Sequence, residues 1–455
     1  MKKYYKVLAL SLSLVTISIL TTACSTFTSP PPDSLGTPTS KNGLDIVSWN
    51  TKNGARVLYV NAPQIPMVDV KVSFDAGSAR DGKKPGLASM TNNMLSVGAG
   101  KWNTNQINER FDDVGTRYGS ASNLDLASVS IRSLNDTALL TQSVDTLKAI
   151  INNPKFNDAE LERLRKQVLI SLKNQLQSPA SLARKSFYEN LYRDHPYAHQ
   201  TIGNKESVKA IKRKDLLSFY KKYYVAKNAL IAIVGDISQK DARALAENLV
   251  NTLPSGNKAT AIPAVSSLSK SKEVVIPHPS TQTHILVGQP GMKRGDPDYF
   301  ALYVGNHILG GSGFSSRMMK SIRDERGLAY SSYSYFSPLK ENGPFTLGLQ
   351  TKNDKRKEAL QVLHQTLNEF IQNGPSDKEL SHAKRNITGG FPLRIDSNRD
   401  ILGYISMIGF YELPLDYLNT FNQTIESISK EQIRDAFHRR VHPDKLLTIL
   451  VGKEP

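Results

Sequence analysis

The chain has 455 residues, 39% hydrophobic and 22% charged, with a formal net charge of +17 and a single cysteine. A length prior of ~100–200 residues per domain gives two to four domains, and the composition excludes a disordered, collagen-like or disulfide-stapled chain. The positive charge admits anionic partners, but no Lys/Arg run exceeds three residues and no aromatic-studded basic motif occurs, so a nucleic-acid role is set aside.

The first element is a leader. "MKKYYK" is a basic stretch, "VLALSLSLVTISIL" an apolar one of 14 residues, and "TTAC" follows. The apolar run is short for a transmembrane helix, which needs ~20 residues. Residues 1–23 therefore read as a signal peptide. Cys24 sits where a bacterial lipoprotein carries its lipidated cysteine, and the run resembles a lipobox with Thr21 at the usual Leu position. The alternatives are an ordinary signal peptide cut near Ala23 or an uncleaved anchor. Ser25 after the cysteine, with no Asp, resembles lipoproteins sorted to the outer membrane. The expected location is thus the cell envelope, lipid-anchored and facing the periplasm. Cleavage ahead of Cys24 removes Lys2, Lys3 and Lys6 and lowers the formal charge from +17 to +14. Residues 24–43, rich in Pro, Ser and Thr, read as a tether whose flexible span is about 25 Å.

The globular part opens with "RVLYV" and "VDVKVSF", the latter alternating strictly, as a half-buried strand does. "PGLASMTNNMLSVGAG" follows as a turn and a helix. Leu87, Met90, Met94 and Val97 form its apolar face, while Ser89, Asn92 and Asn93 are assigned to the opposite, polar face. Then come a helix at "NQINERFDDVG", an alternating strand at "ASVSIRSL", a long helix from Asp158 to Gln177, and the apolar strand "LIAIVGD".

The same order returns downstream: "THILVGQP" as strand, "DYFALYVGNHIL" and "SSRMMKSIRDERG" as helices, "FTLGLQT" as alternating strand. Two echoes support a duplication. "NDAELERLRKQVL" at Asn157 resembles "SDKELSHAKRNIT" at Ser376, and "LIAIVGD" at Leu230 resembles "LTILVGK" at Leu447, at near-equal offsets of about 219 and 217. The predicted fold class is α+β, two homologous domains each with a mostly antiparallel sheet packed with helices. The predicted boundaries are 44–252 and 273–455, joined by a Pro/Ser/Lys-rich linker over 253–272.

The order "F-x-AGS…PGLAxxxxxML", then "HPYAHQTIG" and "IVGD", resembles the insulinase/pitrilysin family of zinc peptidases, nearest its mitochondrial-processing-peptidase-like branch. The resemblance covers about residues 45–452. It implies an H-x-x-E-H motif in the first helix, whose two histidines at i and i+4 bind zinc while the glutamate activates water, and a glutamate ligand from the long helix. This sequence places Ser89 and Asn93 at the histidine positions, Asn92 at the base position and Ser171 at the glutamate position. All four are neutral, and an asparagine cannot take a proton from water. The implied zinc chemistry is therefore absent from this half, and no cofactor is expected in the chain. His195 and His199, like His438 and His442, have i, i+4 spacing without a carboxylate between them and read as structural or surface residues.

In the second half "RDERGLAY" resembles the family's C-terminal pattern of an arginine seven residues before a tyrosine, here Arg323 and Tyr330. The resemblance implies that the pair reaches an active site, often of another subunit. A guanidinium can fork onto a substrate peptide carbonyl, and a phenol can donate to the oxyanion formed at the attacked bond. The other reading is a surface arginine and a core tyrosine. The Gly310–Gly313 stretch could admit substrate backbone or merely stop a helix. The function expected is a non-catalytic subunit of a two-chain zinc metallopeptidase, in which a homologous zinc-bearing partner cleaves peptides. The alternative is a non-enzymatic peptide-binding or scaffold lipoprotein.

Overall fold

A computed structural model describes residues 43–453; the predicted leader, Cys24 and the tether lie outside the described residues, except for the tether's last residue. Six strands, β1 (Val47–Asn50), β2 (Arg56–Asn61), β3 (Met67–Phe74), β4 (Arg117–Ser122), β5 (Ala127–Leu134) and β6 (Ala229–Gly235), form one sheet in the order β1-β2-β6-β3-β5-β4. Five more, β7 (Lys272–Pro277), β8 (Gln282–Pro290), β9 (Ala329–Phe336), β10 (Pro344–Lys352) and β11 (Leu447–Gly452), form a second in the order β7-β11-β8-β10-β9. The first half adds α1 (Leu87–Met94), α2 (Thr104–Asp112), α3 (Thr137–Asn152), α4 (Asp158–Gln175), α5 (Pro179–Tyr192), α6 (Lys205–Ala210), α7 (Arg213–Tyr223) and α8 (Gln239–Val250). The second adds α9 (Tyr299–Asn306), α10 (Arg356–Asn373), α11 (Asp377–Gly390), α12 (Asn398–Phe410), α13 (Tyr417–Ser427) and α14 (Lys430–Arg440). The class is α+β.

The two sheets share one topology. β6 runs parallel to β2 and antiparallel to β3, as β11 runs parallel to β7 and antiparallel to β8. The echoed segments fall on equivalent elements, the starts of α4 and α11 and the strands β6 and β11. Each half also lends a helix to the other. α5 packs on β11 and β8 of the second sheet, and α12 packs on β6, β3 and β2 of the first. Phe187 of α5 lies so close to β8 that a Cβ on Gly288 would stand 2.8 Å from its ring. Only glycine leaves room for that approach.

This exchange corrects the half-buried reading of β3. Val68, Val70, Val72 and Phe74 enter the core of the first half, but Asp69 and Ser73 on the opposite face are also buried. Alternation reports a strand with one polar face, and α12, contributed from far downstream, covers that face. Asp69 is held there by Arg132 at 2.8 Å. The halves are also tied by a buried carboxylate. Asp125 accepts from Tyr197 Oη at 2.6 Å, and from Tyr411 Oη and the Lys340 amide at 2.9 Å. Nearby, Asp75 pairs with Arg80 of its own half and Lys340 of the other. Ile262 and Leu268 of the linker are buried beside Phe187 and Leu191 of α5.

Candidate functional site

The α1 face is built from an acidic cap downward. Asp81 Oδ2 accepts from the Gly86 amide at 2.7 Å and Oδ1 from the Ala88 amide at 2.6 Å, satisfying donors that open the helix. Burial pushes the Asp81 carboxyl up to about 8, against the two amides that favour its ionised form. His199 Nδ1 stands 3.7 Å away, and burial lowers its pKa. Leu87, Met90 and Met94 are buried as the spacing predicts, and Val97, beyond the helix end, is partly buried.

The polar residues of α1 do not share one face. Ser89 and Asn93 face outward, and Asn93 Nδ2 donates to Ser89 O at 2.9 Å. Asn92, placed on that face by the sequence, is instead 1% exposed. Its Nδ2 donates toward Ala121 O at 3.0 Å and lies within reach of Ser120 Oγ and Ser128 O, while Oδ1 accepts from Tyr224 Oη at 3.1 Å. Position 92 lies 100° round the helix from the outward-facing Asn93, which turns it over β4 and β5. An amide both donates and accepts there, which an ionised carboxylate cannot do. Ser171 is exposed on α4.

These residues do not fit zinc. Zinc takes thiolate, imidazole or carboxylate ligands, whereas this set offers two hydroxyls and two amides, one amide fully engaged in the sheet. Among the described residues, no group of three or more His, Cys, Asp or Glu side chains is arranged to hold a metal ion. The first histidine pair is engaged otherwise. His195 Nδ1 accepts from the Tyr197 amide at 3.1 Å, so Nε2 carries the proton toward Pro263 O at 2.8 Å. His438 is exposed on α14, while the His442 amide donates to Gln289 Oε1 at 2.8 Å.

The second half places Arg323 and Tyr330 together. Two π-type turns, His307–Gly311 and Met319–Asp324, bracket the glycine-containing segment, and Arg323 lies in the second. Tyr330 opens β9, which is an edge strand, and is 82% exposed, so it is not a core residue. The guanidinium sits 5.7 Å from the Tyr330 ring centre and 4.8 Å from that of Phe314, which is itself 66% exposed. Contact with two rings orients the guanidinium while leaving most of its donors open. Arg323 Nη1 also meets Asp324 at 3.2 Å, a surface pair of little energetic weight. Phe314 escaped the sequence reading; an aromatic directly after Gly313 was the available signal. Gly310 is a packing residue, since a Cβ there would stand 2.5 Å from Ser334 N on β9.

Comparison with known proteins gives the relationship. Residues 56–205 match the family described as Insulinase (Peptidase family M16), and residues 210–387 match the Peptidase M16 inactive domain. A Helicobacter pylori protein named non-peptidase homolog YmxG is 27% identical over 403 residues, covering 88% of this chain and 92% of that protein. A Bacillus subtilis protein named uncharacterized zinc protease YmxG is 23% identical over 389 residues, covering 84% and 92%. The crystal structure of a peptidase M16 inactive domain from Pseudomonas fluorescens superposes with a TM-score of 0.88 at 36% identity, covering 90% of this chain and 98% of that one. The chain therefore belongs to the M16 insulinase family, as a non-catalytic peptidase-like member.

Proposed function

We propose that this chain is the non-catalytic subunit of a two-chain zinc metallopeptidase of the bacterial envelope. The observation that carries the reading is the exposed Tyr330 with Arg323 beside its ring, at the edge of the second sheet, in a chain whose α1 carries no His, Cys, Asp or Glu. The partner is a homologous subunit with H-x-x-E-H. This chain holds peptide in extended form along a sheet edge. Arg323 grips a substrate carbonyl, and the Tyr330 hydroxyl donates to the oxygen that gains charge as the scissile carbonyl is attacked. Cys24 anchors the subunit through its lipid, and the tether lets the globular part reach its partner.

Mixing the purified chain with a zinc-bearing relative tests this. Peptidase activity should exceed that of the partner alone, and Tyr330→Phe should remove the gain. Activity indifferent to Tyr330 overturns the reading in favour of a pseudo-peptidase that captures peptides or braces an envelope complex. Peptidase activity or stoichiometric zinc in this chain alone overturns both.

A further inference from the structure

A groove follows α5, the helix exchanged into the second half. Its first depression, about 520 Å³, lies between α4 and α5 and is floored by Leu172, Leu176 and Leu182. A second, about 340 Å³, opens beside the first turns of α5, and shares Ser181 and Lys185 with the first. A third, about 270 Å³, lies between α5 and the strands β8, β10 and β9, and shares Arg184 and Tyr188 with the second. The shared walls set the three depressions side by side along α5. α5 has 14 residues, so the row they form follows about 21 Å of helix. An extended peptide of about six residues fills it. One end is built on α4, which carries Ser171, and the other on β9, which carries Tyr330.

The chemistry of the walls is one-sided. Lys173, Lys205 and Lys209 rim the first depression with Glu206 as the opposing acid. Arg184 stands where the second and third depressions meet, and forms no ion pair with a described residue, while Lys185 faces Glu189 only at 3.8 Å. Its guanidinium acts on the Tyr188 and Tyr333 phenols, opposing the rise that burial gives them. Tyr333 and Tyr335 stack at 5.6 Å and remain 38% and 41% exposed. A guanidinium beside open aromatic faces matches a carboxylate next to an aromatic side chain.

We propose that this groove binds an acidic, aromatic-containing peptide in extended form, with a carboxylate on Arg184, an aromatic side chain against Tyr333 and Tyr335, and apolar side chains over the leucine floor. The inference rests on the peptide-holding role proposed above and names its substrate class.

Fluorescence anisotropy of the purified full chain, without any partner, tests it with three labelled decapeptides: one of Glu, Asp and Phe, its Gln/Asn/Phe isostere, and a Lys/Arg/Phe counterpart. The acidic peptide should bind at least about tenfold tighter than its amide isostere, with the gap narrowing as salt rises. Arg184→Gln should erase about tenfold of the acidic peptide's affinity and leave the isostere's unchanged. Tyr335→Ala should weaken both severalfold at an unchanged melting temperature. Equal binding of acid and amide, preference for the basic peptide, or indifference to Arg184→Gln overturns the groove assignment. If those outcomes occur while partner activity still requires Tyr330, the groove alone is wrong. If acid preference holds while partner activity ignores Tyr330, the subunit reading fails and the binding site stands.

Discussion

The α1 face and the Arg323–Tyr330 corner hold polar residues in opposite conditions. On α1 the polar groups are taken up by the chain itself, even where Asn93 is exposed. Asn92 is tied to β4, β5 and Tyr224, and Asn93 turns back on Ser89. At the second corner the aromatic groups are presented outward, with Tyr330 and Phe314 exposed and Arg323 beside both rings. Absorbed polar groups stabilise the fold and have little capacity left for a ligand. Exposed, oriented ones cost little to the fold and keep their donors for another molecule. The contrast separates a position engaged in the chain's own architecture from one open to solvent.

Substitution can break this contrast from either side. The largest effect belongs to the second corner. Tyr330→Phe should cut the partner-dependent kcat by about 10²–10³, the usual loss of one oxyanion donor, without lowering the melting temperature. A fall in stability of equal size would return Tyr330 to a structural role. Asn92→Ala should show the reverse, costing about 3 kcal/mol in denaturant unfolding because buried partners on β4, β5 and Tyr224 lose their counterpart. Peptide affinity of the surviving folded protein should not move.

The third test sharpens the reading of α1 through pH. Burial raises the Asp81 carboxyl from 3.8 to about 8, so the folded chain binds a proton more tightly than the unfolded one. That contribution is fully present below pH 4 and is lost as pH rises toward 8. Asp81→Asn should flatten the fall of melting temperature between pH 5 and 8, measured by calorimetry at constant ionic strength. The smallest effect should come from Phe314→Ala. Removing one exposed cation–π contact is worth about 0.5–1 kcal/mol, so KM in the partner assay should rise two- to fivefold with kcat nearly unchanged. A larger loss in kcat would make Phe314 part of the reacting geometry.

Much of the molecule was legible in local pattern. The strands "RVLYV", "ASVSIRSL" and "LIAIVGD" fall where their periodicity places them, as β2, β5 and β6. The long helix begins at Asp158 as read and ends at Gln175, two residues early. The duplication was readable because equivalent elements carry equivalent cores, and β6 and β11 indeed hold matching central places. The burial of Asn92 was not legible. Its helix phase lies between the apolar rows and the open row, and only the positions of β4, β5 and Tyr224 decide which way it turns. Local pattern left Tyr330 open between a substrate-facing and a core position for a related reason. Strand periodicity does not say which strand will be the edge, and β9 is an edge only because of the pairing order.

By itself, the sequence determined the α+β class, the repeated order of elements, and the neutral character of Ser89, Asn92, Asn93 and Ser171, because these follow from residue type and short-range spacing. Tertiary structure alone decided the exchange of α5 and α12 between halves, the second burial of β3, the carboxylate knot at Asp125, and the groove lined by Arg184, Tyr333 and Tyr335. Each of those joins residues far apart along the chain, where neither propensity nor periodicity carries information and packing sets the partner.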